Sequence, residues 1–248
     1  MTGNILKYFK EKEYISGEFL AQKLGISRVA VWKQIQKLKN MGYKIVSDQN
    51  LGYCLISRPD ILLPQEIKNN LSTSYMGKNI YYFTELESTN IIAKEKASLK
   101  KEKIAEGTII IAEKQAGGKG RLGREWFSPT GGIWLSIILY PQLSPSYIPR
   151  ITLMTAVAVV KTIEKVSRIK ARIKWPNDIL IKGKKLCGIL TEMNAELDLI
   201  NWVVVGIGIN VNINQEEFPE DIRDNSISLK EVLGKEISRV KLIQIFLK

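Results

Sequence analysis

Two separated segments hold the side chains best suited to chemistry: Gly118-Lys119-Gly120-Arg121-Leu122-Gly123-Arg124 and Lys174-Trp175-Pro176-Asn177-Asp178. The glycines of the first let backbone N–H groups approach an anion, and its lysine and arginines add positive charge and a bidentate fork. It matches G-x-G-x-x-G literally, but Glu125 to Gly132 leads on into a strand, whereas a dinucleotide fingerprint opens a helix. A phosphate-binding P-loop is excluded as well, because Gly123 is followed by Arg124-Glu125 and not by Lys-Ser/Thr. In the second segment Pro176 fixes its own φ and biases Trp175 to extended geometry, which stiffens the strand end bearing Lys174. An ammonium held there suits the stabilisation of developing negative charge. Together the segments point to work on an acyl and a phosphoryl group.

The rest of the composition narrows the chemistry. The 248 residues include no histidine, which removes imidazole bases, His-dependent triads and His-ligated metals. Cys54 and Cys187 are too few for a disulfide framework or a cysteine-rich zinc site. No protein-borne metal site is expected. No apolar run approaches the ~18 residues of a membrane span, and the N-terminus lacks a signal-peptide pattern, so a cytoplasmic protein is expected. The net charge is +12, and residues 1–58, with ten Lys/Arg against four Asp/Glu, hold half of it. That asymmetry favours a polyanion partner for the first quarter.

Among the elements that must position these residues, Ile5, Leu6 and Phe9 fit a short helix, and Ser16 to Leu24 a second. Gly25-Ile26-Ser27 makes a tight turn, with Ser27 capping a third helix from Arg28 to Met41. Val31, Ile35 and Leu38 face inward, while Arg28, Lys33, Gln34 and Lys37 face out. This is a helix-turn-helix pattern, and strands at 43–46 and 52–56 would form its wing. Ser27, Arg28, Lys33, Gln34 and Lys37 are the expected DNA contacts. The expected division is a winged helix-turn-helix over 1–60, a connecting segment with a helix over 61–78, and a second domain over 79–248. In that domain strands are expected at 80–83, 108–112, 133–140, 172–175, 179–181, 187–190 and 202–209, and helices at 89–101, 148–167 and 240–247. Strands in runs with few helices predict an α+β fold around a mixed sheet. Gly206-Ile207-Gly208 at a strand end admits a ligand or another backbone closely.

These motifs carry a resemblance. Ser88-Thr89-Asn90, Gln115 to Arg124, Trp126, Lys174 to Asp178, Lys185 to Leu190 and Gly206 to Asn210 occur in the order of the bifunctional biotin protein ligases that also repress biotin synthesis, behind a winged helix. The resemblance implies a two-step reaction: biotin and ATP, with Mg²⁺ on the phosphates, form biotinyl-5′-AMP, and a lysine of a biotin carboxyl carrier protein then takes the acyl group. It implies that Ser88, Thr89, Asn90, Gln115, Gly188, Gly206 and Gly208 hold biotin. Lys119, Gly120, Arg121, Arg124, Trp126, Lys174, Asn177, Lys185 and Asn210 would hold ATP or the adenylate, with Lys174 and Arg121 catalytic. It further implies adenylate-promoted homodimers on operator DNA. Leu122 stands where some relatives carry Arg, and Cys187 where many carry Ala. Relatives also end in a small β-barrel, which the chain to Lys248 does not include; a biotin-sensing repressor without ligase activity is the alternative this raises. A lipoate-type ligase shares the central fold, but the winged helix and the Gly118–Arg124 loop argue against it.

Overall fold

The computed structural model describes residues 3–10, 12–69, 71–99, 104–196 and 199–248, and the chain divides into two compact units, Met1–Asp60 and Ile61–Lys248. In the first unit, α1 (Gly3–Leu6) and β1 (Tyr14–Ile15) precede α2 (Gly17–Leu24) and α3 (Arg28–Asn40), and the hairpin β2 (Lys44–Asp48) and β3 (Gly52–Ser57) follows. Both α2 and α3 start on a serine whose hydroxyl accepts a backbone N–H three residues on: Ser16 from Phe19 at 3.1 Å and Ser27 from Ala30 at 3.2 Å. Gly25 ends α2 in the left-handed region, its N–H turned back to Ala21 and Gln22. Ile5, Leu20, Val31, Ile35, Leu38 and Leu55 are fully buried and form this unit's interior. The two-residue β1 pairs with β3 and makes the sheet order β1-β3-β2, a third strand that the pattern did not predict. At the hairpin tip Asp48 accepts the N–H groups of Leu51 and Asn50, and those bonds hold its carboxyl below the usual carboxylate range.

The second unit runs α4 (Pro64–Lys68), β4 (Ile80–Leu86), α5 (Thr89–Ala97), β5 (Thr108–Gln115), β6 (Ile133–Leu139), α6 (Ile148–Ser167), β7 (Arg172–Lys174), β8 (Asp178–Ile181), β9 (Lys184–Glu196) and β10 (Leu199–Ile209). Three short helices close it: α7 (Glu220–Arg223), α8 (Leu229–Leu233) and α9 (Arg239–Phe246). The strands form one seven-stranded sheet in the order β4-β5-β6-β10-β9-β8-β7. Only β4 and β5 are parallel, joined by the crossover helix α5; every other pair is antiparallel. The fold is therefore α+β with a mixed sheet. Thr89–Ala97 is shorter than the expected helix, whose last predicted residue, Lys101, lies outside the described residues.

Side-chain alternation assigns the two faces of the sheet. Ile109, Ile111, Leu135, Ile137, Val203, Val205 and Ile207 pack with α6 residues Ala156, Val159 and Ile163 and with Leu242 and Ile243 of α9. The alternate residues Ile110, Ile138 and Val204 pack with Ala93 of α5 on the opposite face. That second face is only partly covered, and the register sets what it exposes. Ser136, Gly206 and Leu190 lie in one cross-strand row, and Trp134, Gly208 and Gly188 in the next. A buried ion pair ties α9 to β5: Arg239 Nη1 stands 2.8 Å from Glu113 Oε2 and donates to Gly132 O, while Glu113 Oε1 accepts from Leu62 N. Tyr82 neighbours this pair; burial, and then the Glu113 charge, push its hydroxyl up to about 12.

Candidate functional site

The uncovered part of that sheet face is the floor of a cleft of about 230 Å³. Its wall on one side is the start of α5. Ser88, Thr89 and Asn90 are nearly buried there, and Ser88 leaves its hydroxyl uncommitted to capping. Thr89 gives its backbone N–H to Gln115 Oε1 at 2.7 Å, with its hydroxyl 3.1 Å from the same oxygen. Gln115 Nε2 donates to Ser128 Oγ, which in turn donates to Trp126 O. Asn90 Nδ2 donates to Glu192 Oε2 at 2.8 Å and Leu190 O at 3.3 Å. Ser136 Oγ stands 2.6 Å from Asn90 Oδ1 and 2.8 Å from Thr89 Oγ1, so its single proton serves one of them at a time.

The glycines of the floor are explained by what lies on them. A β-carbon at Gly206 would collide with the Asn90 amide, and one at Gly208 with the Trp126 indole; at Gly188 it would come within 3.0 Å of Trp126. The close approach expected at Gly206 and Gly208 is therefore made by two of the protein's own side chains. Trp126 packs edge-on against Trp134, lies under the Lys185 ammonium at 5.0 Å, and leaves its buried Nε1 without a hydrogen bond. Beneath the floor, burial pushes the Cys187 thiol up, which keeps it protonated and inert.

The glycine loop forms the other end of the cleft. It is closed on itself by Gly120 N to Arg124 O at 2.7 Å and Trp126 N to Gly118 O at 2.8 Å, with a Lys119–Glu125 backbone bridge between. Leu122 sits in the left-handed region and is 89% exposed, so it gives the loop no packing. Arg121 Nη1 reaches Asn177 Oδ1 at 3.0 Å, and Asn177 is held in turn by two bonds with Ile189. Lys185 pairs with Asp178 at 2.8 Å. The side chains of Lys119 and Arg124 are exposed and have no partner among the described residues.

Of the residues expected here, Ser88, Thr89, Asn90, Gln115, Lys119, Gly120, Arg121, Arg124, Trp126, Asn177, Lys185, Gly188, Gly206 and Gly208 line one cleft. Two do not. Asn210 is nearly buried and works structurally: its N–H and side-chain amide hold Leu186 O and Lys185 O, so it fixes the strand that presents Lys185. Lys174 ends β7, exposed, with its Cα opposite that of Asp178, which does line the cleft; the Trp175–Pro176 bond that follows is cis. Sequence reasoning missed Ser128, Ser136, Lys94 and Glu192, each brought in by pairing distant in sequence. On α3, Arg28, Lys33 and Lys37 are exposed as expected. Ser27 is occupied as a cap and Gln34 is half-buried, whereas Val29 (64% exposed) and Trp32 (52%) share the open surface of that helix and were not anticipated.

Both units have counterparts among known proteins. Residues 82–210 match the model of the biotin/lipoate A/B protein ligase family, a span that contains every residue lining the cleft. The chain belongs to that family. Residues 3–54 match a helix-turn-helix domain, so this member joins the ligase fold to a DNA-binding module. The bifunctional ligase/repressor BirA of Bacillus subtilis is 45% identical over 233 residues, which are 94% of this chain and 71% of that protein. The bifunctional ligase/repressor BirA of Salmonella typhimurium is 30% identical over 244 residues, 96% of this chain and 73% of its own. Among solved structures, the biotin protein ligase of Aquifex aeolicus in complex with biotin and ATP superimposes with a TM-score of 0.57 and 32% identity, covering 68% of each chain.

Proposed function

We propose that this chain ligates biotin to protein in an ATP-dependent reaction and represses transcription through its helix-turn-helix unit. The observation that carries the reading is the polarity of the cleft. One end is a fixed network of hydroxyls and amides; the other is a loop bearing Lys119, Arg121 and Arg124, with Lys185 beside it. Biotin is a cyclic urea with an aliphatic carboxylate arm, and ATP brings the phosphates, so the two ends answer the two substrates.

At the polar end, Gln115 Nε2 uses one proton on Ser128 and keeps one to give, while the Thr89 hydroxyl proton is directed into the protein and its lone pair is left for a donor. One donor and one acceptor side by side suit the carbonyl and N–H of a cyclic urea. The apolar arm then runs past the Trp126 indole, which covers Gly188 and Gly208, toward the loop. There a biotin carboxylate oxygen attacks the α-phosphorus, the bond to the leaving pyrophosphate breaks, and biotinyl-5′-AMP results. Negative charge builds on the phosphorus oxygens and the leaving group, and Lys119, Arg121 and Arg124 offset it. We assign Lys174 to the same task, reaching in from the end of β7. Its ammonium has no partner among the described residues, and its cross-strand neighbour Asp178 lines the cleft. In the second step the neutral amine of a carrier-protein lysine attacks the acyl carbon; AMP leaves and the amine loses a proton. No base of the imidazole kind is required, consistent with a chain that has no histidine.

The described residues contain no group of three His, Cys, Asp or Glu side chains fit to hold a metal ion. Mg²⁺ enters as the ATP complex in this reading, neutralising phosphate charge beside the cationic loop. No described helix is long and apolar enough to cross a membrane. The reading places the chain's work in the cytoplasm, on a biotin carboxyl carrier protein and on operator DNA. A homodimer formed with the adenylate bound would present two winged helices to a two-fold operator.

The test is pyrophosphate release by the purified 248-residue chain with ATP and Mg²⁺, with and without biotin. Biotin-dependent release is expected; no release together with no biotin binding by calorimetry overturns the reading.

A further inference from the structure

The polar end of the cleft is backed by an ion pair that does not itself line it. Lys94 of α5 stands 2.6 Å from Glu192 Oε1 on β9, and the other carboxylate oxygen takes the Asn90 Nδ2 proton at 2.8 Å. This arrangement decides which way the Asn90 amide points. Glu192 Oε2 and Leu190 O are both acceptors, so Nδ2 must face them and Oδ1 must face Ser136. Oδ1 then claims the Ser136 proton, and Ser136 has none left to give Thr89. The Thr89 proton is consequently spent on Ser136 or on Gln115, and in either case an oxygen lone pair of Thr89 is what the cleft is offered. The orientation of the Asn90 amide, and with it the use of the Ser136 proton, follows from the two acceptors Glu192 Oε2 and Leu190 O, and Lys94 pins the Glu192 carboxylate in place through its other oxygen.

We propose that Lys94 and Glu192 are positioning residues that set this direction, and so determine that Thr89 meets its ligand as an acceptor. The inference rests on the reading that this end of the cleft takes the urea ring of biotin. Neither residue touches the substrate; they act through Asn90 and Ser136, across α5, β9 and β6, which come together only in the fold.

The Glu192→Gln variant separates direction from mere attachment. Lys94 offers only donors, so it draws the oxygen of the introduced amide to itself and leaves that amide's NH₂ facing Asn90 Nδ2. Asn90 must then either keep a donor against a donor or turn its oxygen onto Leu190 O. Both outcomes disturb Thr89. The double variant Lys94→Met with Glu192→Gln removes the demand. The introduced amide is then free to turn its oxygen back to Asn90, which restores the original direction.

Steady-state pyrophosphate release on the full chain reads this out. Glu192→Gln is expected to raise KM for biotin about tenfold or more with KM for ATP and kcat little changed, and the double variant to recover most of that loss. A residue serving only as an ion-pair anchor gives the opposite pattern, since the double variant then does no better than the single. An unchanged biotin KM in Glu192→Gln, equal rises for both substrates, or no recovery in the double variant overturns the proposal. Should Glu192→Gln fail to fold, Ser136→Ala cuts the same row without touching the ion pair. It is expected to raise the biotin KM alone, and a wild-type value there overturns the proposal too. If the wild-type chain neither binds biotin nor releases pyrophosphate with it, the failure lies in the assignment of the cleft to biotin and not in Lys94 and Glu192.

Discussion

Asn90 and Trp126 show how single side chains use the space that glycine leaves. Both lie directly on the sheet, and each needs a bare backbone beneath it, so the three floor glycines should differ in how they tolerate alanine. Gly206→Ala drives a methyl into a nearly buried amide committed to Leu190, Glu192 and Ser136, and Gly208→Ala drives one into an indole wedged against Trp134. Gly188→Ala meets the edge of the same indole at 3.0 Å, a contact that a small shift of the ring relieves. Biotin affinity measured by calorimetry is expected to fall by about 2 kcal/mol in the first two and by under about 1 kcal/mol in the third, in line with overpacking costs. Equal losses in all three would mean that the glycines serve the ligand and not Asn90 and Trp126. The cationic groups divide differently. Arg121→Ala loses the bond to Asn177 that holds the loop against the sheet, so adenylate should dissociate faster while biotin alone binds normally. Lys174→Ala should leave binding of both substrates and of DNA intact and lower kcat for pyrophosphate release about 100-fold or more, as loss of one oriented charge does; a kcat near wild type would remove Lys174 from the chemistry. The contrast also marks what could be read in advance. Lys119, Arg121, Thr89 and Gln115 stand in short local patterns whose chemistry is visible in the sequence. Ser136 is a single polar residue in an apolar strand and Glu192 is one of several polar residues in β9, and nothing in their own segments distinguishes a partner for Asn90 from an ordinary strand residue.

Among the elements, the central strands and the long, mostly apolar α6 were legible because each is a run of apolar residues, β5 and β6 being buried on both faces of the sheet. Residues 211–238 were not. They fold as short turns of helix held by side-chain caps, such as Ser228 to Glu231 N and the reciprocal Asn214 and Glu217 bonds, and these leave no periodic trace. Arg239 gives that region its anchor and the sheet its clearest stability test. Its guanidinium is nearly buried, paired with Glu113 and bonded to Gly132, so Arg239→Leu leaves the Glu113 carboxylate buried with its charge uncompensated. The expected cost is about 3–5 kcal/mol, the loss found when one member of a buried pair is removed. In a unit of this size that lowers the melting temperature by about 10 °C. Arg239→Leu combined with Glu113→Leu should recover part of the loss, and a single variant within about 0.5 kcal/mol of wild type would show the pair to be idle. Tyr82, raised to about 12 by burial and then by Glu113, reports on the same place. Its hydroxyl ionises near its ordinary value of 10.0 in the unfolded chain but only near 12 in the folded one. Its contribution is therefore complete below about pH 10 and is lost as pH rises from about 10 to about 12. Tyr82→Phe should flatten the fall in stability across that window in denaturant titrations, and identical slopes in the two proteins would contradict the assignment.

At the scale of the whole molecule the chain places its two tasks in separate units. Every residue lining the cleft belongs to Ile61–Lys248, while residues 1–58 carry half of the net +12 and the exposed cations of α3. Each unit also buries its own apolar set: Ile5, Leu20, Val31, Ile35 and Leu38 in the first, and the α6-covered sheet in the second. A unit with its own core can fold alone, so the activities should part when the chain is cut between them. Residues 61–248 made as a fragment are expected to keep biotin-dependent pyrophosphate release, with KM for biotin within about twofold of the full chain, as for sites that share no partners. The fragment should lose operator binding altogether. In the full chain, Lys33→Ala and Lys37→Ala should each weaken DNA binding and lower the slope of log affinity against log salt by roughly one, if each neutralises a phosphate. Trp32→Ala should weaken binding at every salt concentration and leave that slope alone, since an indole releases no counterion. The outcome that would overturn this division is a fragment that folds, by its circular dichroism and cooperative melting, but no longer binds biotin. The cleft would then depend on residues 1–60, and the amino-terminal unit would belong to the ligase site as well as to the repressor.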